Sequence, residues 1–342
     1  MLYLYEIMEH SIWAWAGFTL FILLMLAIDL GLFNRRSHTV SYRQATIWSV
    51  VWVSLALAFG AGVFQKLGHT KGIEFLTGYL IELSLSVDNL FVFLLIFSYF
   101  RVPAEFQHRV LFWGVLGALV MRAAMILMGA ALISRFHWII YVFGAFLIFT
   151  GIRMLRHEES EIHPEQNPVV RLVTRYMPIT HYYEGQKFFT RVGGRLSGTL
   201  LFLVLVMVET TDLVFAVDSI PAIFAVTRDP FIVYTSNVFA ILGLRTFYFL
   251  LAGVVEKFHY LKLGLSIVLI FIGIKMLSED LIEKFYGYHI PPLLPLSIVA
   301  TVLIASVVAS LIWPKRPELP AEEPTSHGGP SLREEEEIGS RR

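Results

Sequence analysis

Five carboxylates stand where the sequence is most apolar: Glu82, Asp88, Glu209, Asp212 and Asp218. An ionisable group at membrane depth costs about 2.5–3.5 kcal/mol on insertion scales, and it persists where it is paired, faces water or is neutralised by a cation. Three basic residues share that depth, Arg122, Arg245 and Lys275, leaving five acids against three bases. One divalent cation, or two protons, would close the difference. The alternative is a purely structural network of Arg122 and Arg245 with two Asp, which leaves the other acids unexplained. Asp29, near the inner end of an earlier apolar stretch, is either an interfacial cap or a sixth acid on the same path.

The neighbouring side chains narrow the chemistry. Ser84, Ser86, Asn89, Thr210, Thr211, Ser219 and Asn237 add neutral oxygens around the acids, and no histidine falls within these stretches. The chain has no cysteine, which excludes disulfides, thiolate metal sites and Cys nucleophiles. Oxygen-only sites suit magnesium, calcium and manganese. Sodium also takes oxygens, but five carboxylates exceed what a monovalent ion needs. Six residues on an ideal helix turn through roughly 600°, so Glu82 and Asp88 point about 120° apart with about 9 Å of rise between them. Either the helices break near the Asp, as Pro221 would allow, or the acids form two tiers along a path. Glu209 and Asp212 share one face.

The elements that must position these residues are membrane-spanning helices. The 342 residues are 56% hydrophobic and 16% charged, against about 25% charged in ordinary soluble chains, and the mean hydropathy is +0.66. A net charge of zero gives no support for a nucleic-acid partner. Stretches near the length of about 20 residues needed for a span occur at 11–33, 44–66, 73–100, 107–134, 136–155, 196–227, 231–254, 259–279 and 292–313. The reading is thus an all-α polytopic protein of nine spans forming one transmembrane domain. Residues 156–195 are polar and are expected as a loop, and 314–342, with Glu334 to Glu337 in a row, as a disordered tail. The loop's His157, Glu158, Glu159, Glu161 and His163 read as a solvated linker. Of 27 Lys and Arg, 19 fall on one side of the predicted spans, five on the other and three inside. That asymmetry puts the N-terminus outside and the C-terminus in the cytoplasm. The first ten residues hold no Lys or Arg, so no signal-peptide n-region is expected.

The chain also repeats itself. Phe136–Leu155 and Phe258–Leu277 align without a gap, with nine of 20 positions identical. Before them, Arg122 answers to Arg245, Asp88 to Asp218 and Glu82 to Asp212. Each unit holds three spans, an odd number, so the two copies must cross in opposite directions. Such inverted repeats occur in transporters, whose substrate site lies near the midplane where the copies meet. Spans 3–5 and 6–8 are therefore the expected transport core, with spans 1, 2 and 9 peripheral.

The segments GYLIELSLSVDNLFVF (78–93) and VETTDLVFAVDSIPAIFAVTRDPFIVYTSNVFAILGLR (208–245) resemble the signature regions of the TerC family, nearest its Alx-like branch. The likeness runs from about residue 11 to 312. It implies an integral membrane protein of a family named for tellurium resistance, placed beside the LysE-type exporters, whose better-understood members export manganese. It also implies that Glu82, Asp88, Glu209, Asp212 and Asp218, which match the family's acidic positions, are the metal-handling acids; the neighbouring Asn89, Ser219 and Asn237 are expected as supporting oxygen ligands from the residues themselves. Leu83 departs from relatives that carry a basic residue there. The expectation is an exporter, not an enzyme, in the cytoplasmic membrane, with manganese as substrate, protons as the coupling ion and no resident cofactor. Its rivals are a LysE-like exporter of small amino acids or organic cations, and a non-transport factor in tellurite or envelope stress.

Overall fold

The computed structural model describes residues 12–33, 42–156, 167–251, 259–287 and 290–313. Long helices follow the apolar stretches: α1 (Ile12–Phe33), α2 (Tyr42–Leu67), α3 (His69–Tyr99), α4 (Ala104–Arg135) and α5 (Ile139–Arg156). After a short helix α6 (Pro168–Tyr176) and strands β1 (Phe189–Val192) and β2 (Arg195–Gly198) come α7 (Leu200–Phe224), α8 (Pro230–Leu251), α9 (His259–Tyr286) and α10 (Leu293–Ile312). Among the described residues, eight of these helices are long and apolar enough to cross a membrane. The predicted first span is represented by α1, whose described apolar stretch, Ile12–Ile28, is shorter than the other eight.

Their outward surfaces are apolar, with Leu57, Val120, Phe149, Ile274 and Ile304 all exposed. Water would penalise that arrangement and hydrocarbon does not. In a medium without water every backbone group must be satisfied internally, and the helix ends show how. Thr199 Oγ1 accepts from the Phe202 amide at the start of α7 (3.3 Å) and donates to the Lys187 carbonyl (2.7 Å). Asp229 Oδ1 accepts from the amides of Phe231 (3.0 Å) and Ile232 (3.4 Å), capping α8 just ahead of its Pro230.

The helix ends depart by a few residues from the expected span limits, most visibly around the polar segment. The loop expected at 156–195 is not structureless where it is described: it holds α6 and an antiparallel hairpin of β1 and β2. The hairpin takes residues 195–198, so the sixth span starts at Leu200 rather than 196. Gly193 and Gly194, both at positive φ, form its turn, a conformation that glycine adopts without strain. Residues 157–166, 252–258 and the tail 314–342 lie outside the described residues.

At the centre, α3 packs against α8 and α7, and α4 packs against the same two helices. The helix α2 covers α3 and α8, while α10 covers α9 and α3. The most extensive helix contact joins α5 to α9, and glycine is its cause. A Cβ on Gly151 would stand 2.9 Å from the Ser266 carbonyl oxygen, and one on Gly273 would stand 2.7 Å from the Gly144 carbonyl oxygen. The pairings 151 with 266 and 144 with 273 require the two helices to run antiparallel. They are also reciprocal, since the repeat aligns Gly151 with Gly273 and Gly144 with Ser266.

The bundle has two ends. At the hairpin end Tyr183 donates to the Phe100 carbonyl (2.8 Å), Tyr248 donates to Gln107 (3.0 Å) and the Arg109 guanidinium lies over the Phe188 ring. At the other end, named here for Lys71, the α7–α8 connection is tied on both flanks. Lys71 Nζ lies 3.0 Å from Glu74 and 3.5 Å from Asp229, and Thr227 donates to the same Glu74 oxygen at 2.6 Å. From α9, Lys275 donates to the Ala225 carbonyl (2.8 Å) and to Glu279 (2.9 Å).

Candidate functional site

The helices α3 and α7 each carry two acids six residues apart, and both run unbroken past them. Pro221 sits inside α7 and does not end it. Neither helix breaks at its Asp, and the acids form two groups, termed tiers for their surroundings and not for depth, since α3 and α7 run in opposite directions.

The first tier is closed. Arg122 of α4 is 1% exposed and lies between Glu82 of α3 and Asp212 of α7, which are 0% and 3% exposed. Its Nη1 donates to Glu82 and, at 3.3 Å, to Ser219 Oγ. Its Nε and Nη2 hold the Asp212 carboxylate in a fork, at 3.2 and 3.1 Å. Such a bidentate pairing fixes both direction and distance. One cation serves two carboxylates here, so the cluster keeps a formal charge of −1.

The second tier is open. Asp88 and Asp218 line one cavity of about 580 Å³ between α3, α5, α7 and α9, together with Asn89, Thr150, Arg153 and Lys262. Thr150 of α5 donates to Asp218 Oδ1 at 3.3 Å. Asn89 is almost fully buried, and its side-chain oxygen has no hydrogen-bond partner among the described residues. Apolar walls of Leu85, Phe146 and Leu269 surround these few polar groups, the composition of a small-ligand site.

Other residues singled out in the sequence take separate places. Glu209 packs its carboxylate against Gly117 of α4, where a Cβ would collide with it. Asn237 and Arg245 are buried in α8. Lys275 serves Glu279 and a backbone carbonyl at the Lys71 end, rather than the five acids. The side chain of Asp29 lies outside the described residues. Among the described residues no three His, Asp or Glu side chains converge as a metal-binding group.

Sequence reasoning missed Thr150, Arg153 and Lys262. The two bases were counted among the charges flanking the spans, because each stands close to a helix end. The signal lay in the helical period: Thr150 and Arg153 are three apart on α5 and therefore share a face.

Comparison with known proteins places the chain. The model of the integral membrane protein TerC family matches residues 67–318. The chain belongs to the TerC family. Three relatives match over most of both chains. An uncharacterised membrane protein of Myxococcus xanthus is 56% identical over 298 residues, covering 87% of this chain and 92% of the relative. A protein of Escherichia coli K12, provisionally named membrane-bound redox modulator Alx, is 52% identical over 303 residues, covering 86% and 92%. An uncharacterised membrane protein of Rickettsia bellii is 38% identical over 299 residues, covering 87% and 97%. No solved structure matches the chain. Membership of the TerC family and the apolar helices together make this a multi-pass integral membrane protein.

Proposed function

We propose that this TerC protein exports divalent manganese across the cytoplasmic membrane. The observation that carries the reading is the cavity between α3, α5, α7 and α9, where Asp88 and Asp218 meet the neutral oxygens of Asn89 and Thr150. Two carboxylates, two neutral oxygens and retained water suit a hard divalent cation. Glu82, Asp212 and Glu209 form the next tier, where acids coordinate the passing ion or exchange protons for it. Arg122 holds Glu82 and Asp212 together, and Arg245, buried in α8, is a charge-balancing residue. Protons are the proposed coupling ion, because a carboxylate releases metal when it is protonated.

The excess of Lys and Arg supports a cytoplasmic hairpin end, with the N-terminus outside and the C-terminus inside. In that orientation the ties of Lys71, Thr227 and Lys275 close the outer side. Outward release requires those contacts to part. The reciprocal glycine crossing of α5 and α9 supports an inverted pair of three-helix units, α3–α5 and α7–α9, that rock about it.

The word redox in the relatives' provisional name points elsewhere. A chain without cysteine has no thiol–disulfide chemistry to offer, so we assign any redox effect to altered metal levels. A second reading has an observation of its own. Arg153 and Lys262 share the cavity with the two acids, and that pairing of charges also fits a zwitterion such as a small amino acid.

Inverted membrane vesicles decide between the two. Accumulation of manganese in preference to magnesium and zinc, lost in Asp88→Asn, is the expected result. Accumulation of an amino acid without any metal would establish the second reading. Vesicles that take up neither would end both and favour a non-transport role.

A further inference from the structure

The cavity holds its own counter-charges, and their placement differs from that of Arg122. Arg153 is in the last turn of α5 and Lys262 in the first turns of α9, and both reach the cavity from the hairpin end. Lys262 and Arg153 line the same cavity as Asp88 and Asp218. Two carboxylates and two bases give the cavity no net charge before any ion arrives. Arg122 is clamped by three partners at full burial. Arg153 is exposed and Lys262 half-buried, so both long side chains are arms less enclosed than Arg122.

We propose that Arg153 and Lys262 are tethered counter-cations: they stand in for the transported ion in the empty cavity and are displaced by it, which sets the affinity of Asp88 and Asp218 for a divalent cation. This rests on the reading of the cavity as the cation site. A divalent ion seated between the two carboxylates brings two positive charges, the same number as the arms contribute. The arms can withdraw along the hairpin end without leaving charge buried in the bundle. When the ion leaves, they return and the acids are neutralised again. An exporter gains a threshold by this means, because ions bind only when their concentration outweighs two permanent competitors at the site. The arms also speed release, since they repel the ion that they replace.

The test is a titration of manganese into the purified full-length protein in detergent, read by loss of the free-ion paramagnetic resonance signal. Arg153→Gln and Lys262→Gln are each expected to tighten binding by about ten-fold, the order for removing one repelling charge near a divalent ion at an effective dielectric between protein and water. The double variant tightens it further. Lys262→Arg and Arg153→Lys, which keep the charge, stay within about two-fold of the parent. In vesicles the Gln variants lower KM and also lower turnover, a split that mere loss of packing would not produce. Binding that is unchanged or weaker in Gln variants with the parent's melting temperature overturns the tethered-cation role and leaves the cation site standing. Absence of saturable manganese binding in parent and variants alike overturns the cation site itself, and this inference with it.

Discussion

The pairs Glu82/Asp212 and Asp88/Asp218 sit on the same two helices, six residues apart on each, and have opposite surroundings. One is sealed around a guanidinium, with three side chains within hydrogen-bond reach of Arg122. The other faces a cavity and meets its bases only as arms from the helix ends. The cause is the third partner. Around Glu82 and Asp212 α4 supplies a buried Arg122, whereas around Asp88 and Asp218 α5 supplies Thr150 and Arg153. An acid in a membrane helix is thus not one kind of object. What decides its role is whether the compensating charge is fixed or can leave.

If that contrast is right, Arg122→Ala has the largest effect, and on the fold. Removing one partner of a buried ion pair costs about 3–5 kcal/mol, and here two carboxylates lose their cation together. Loss of monodisperse protein and a sharply lower melting temperature in detergent are expected. A variant that melts like the parent would dissolve the contrast. Next comes Asp88→Asn or Asp218→Asn. Each should reduce manganese transport by at least about ten-fold, a change of about 1.4 kcal/mol in the barrier, while the melting temperature stays near the parent's. Instability in these variants would mean that Asp88 and Asp218 hold the fold rather than the ion.

Smaller effects sharpen the comparison between the two ends of the bundle. Glu74→Gln with Thr227→Val removes contacts worth about 1 kcal/mol each from the tied end. In a chain without cysteine, Leu85→Cys gives a single label site in the cavity wall. A membrane-impermeant thiol reagent added outside should reach it several-fold faster once the ties are weakened. Unchanged labelling would show that they do not hold that side shut. Least of all, Lys187→Gln should leave transport and melting as they are, because its pair with Glu184 is exposed in the turn before β1 and exposed pairs contribute little.

Much of the helical bundle can be read from the sequence, because length and apolarity decide a span and neither depends on tertiary context. Eight stretches became long apolar helices for that reason. The tiers were half legible: the spacing of Glu82 and Asp88 ruled out one shared ion on a straight helix, but left open a break at Pro221. The unbroken α7 required neighbours to support it. The hairpin at 189–198 was missed although Gly193–Gly194 is a two-residue turn signal, since the short flanking runs with Thr and Arg carry little hydrophobic period. Arg153 and Lys262 were hidden by their own position. A base one turn from a helix end looks like any charge at the membrane boundary until the facing helices fix where its side chain points.

The glycine crossing of α5 and α9 also bears on how the chain is made. The face of α5 that carries Gly144 and Gly151 is complete early in synthesis, but Ser266 and Gly273 follow roughly a hundred residues later. At synthesis rates of about 5–20 residues per second, that face waits on the order of ten seconds for its partner. During that interval lipid must fill a groove cut for a backbone. Insertion of this protein therefore has a built-in delay, set by the order of its helices along the chain.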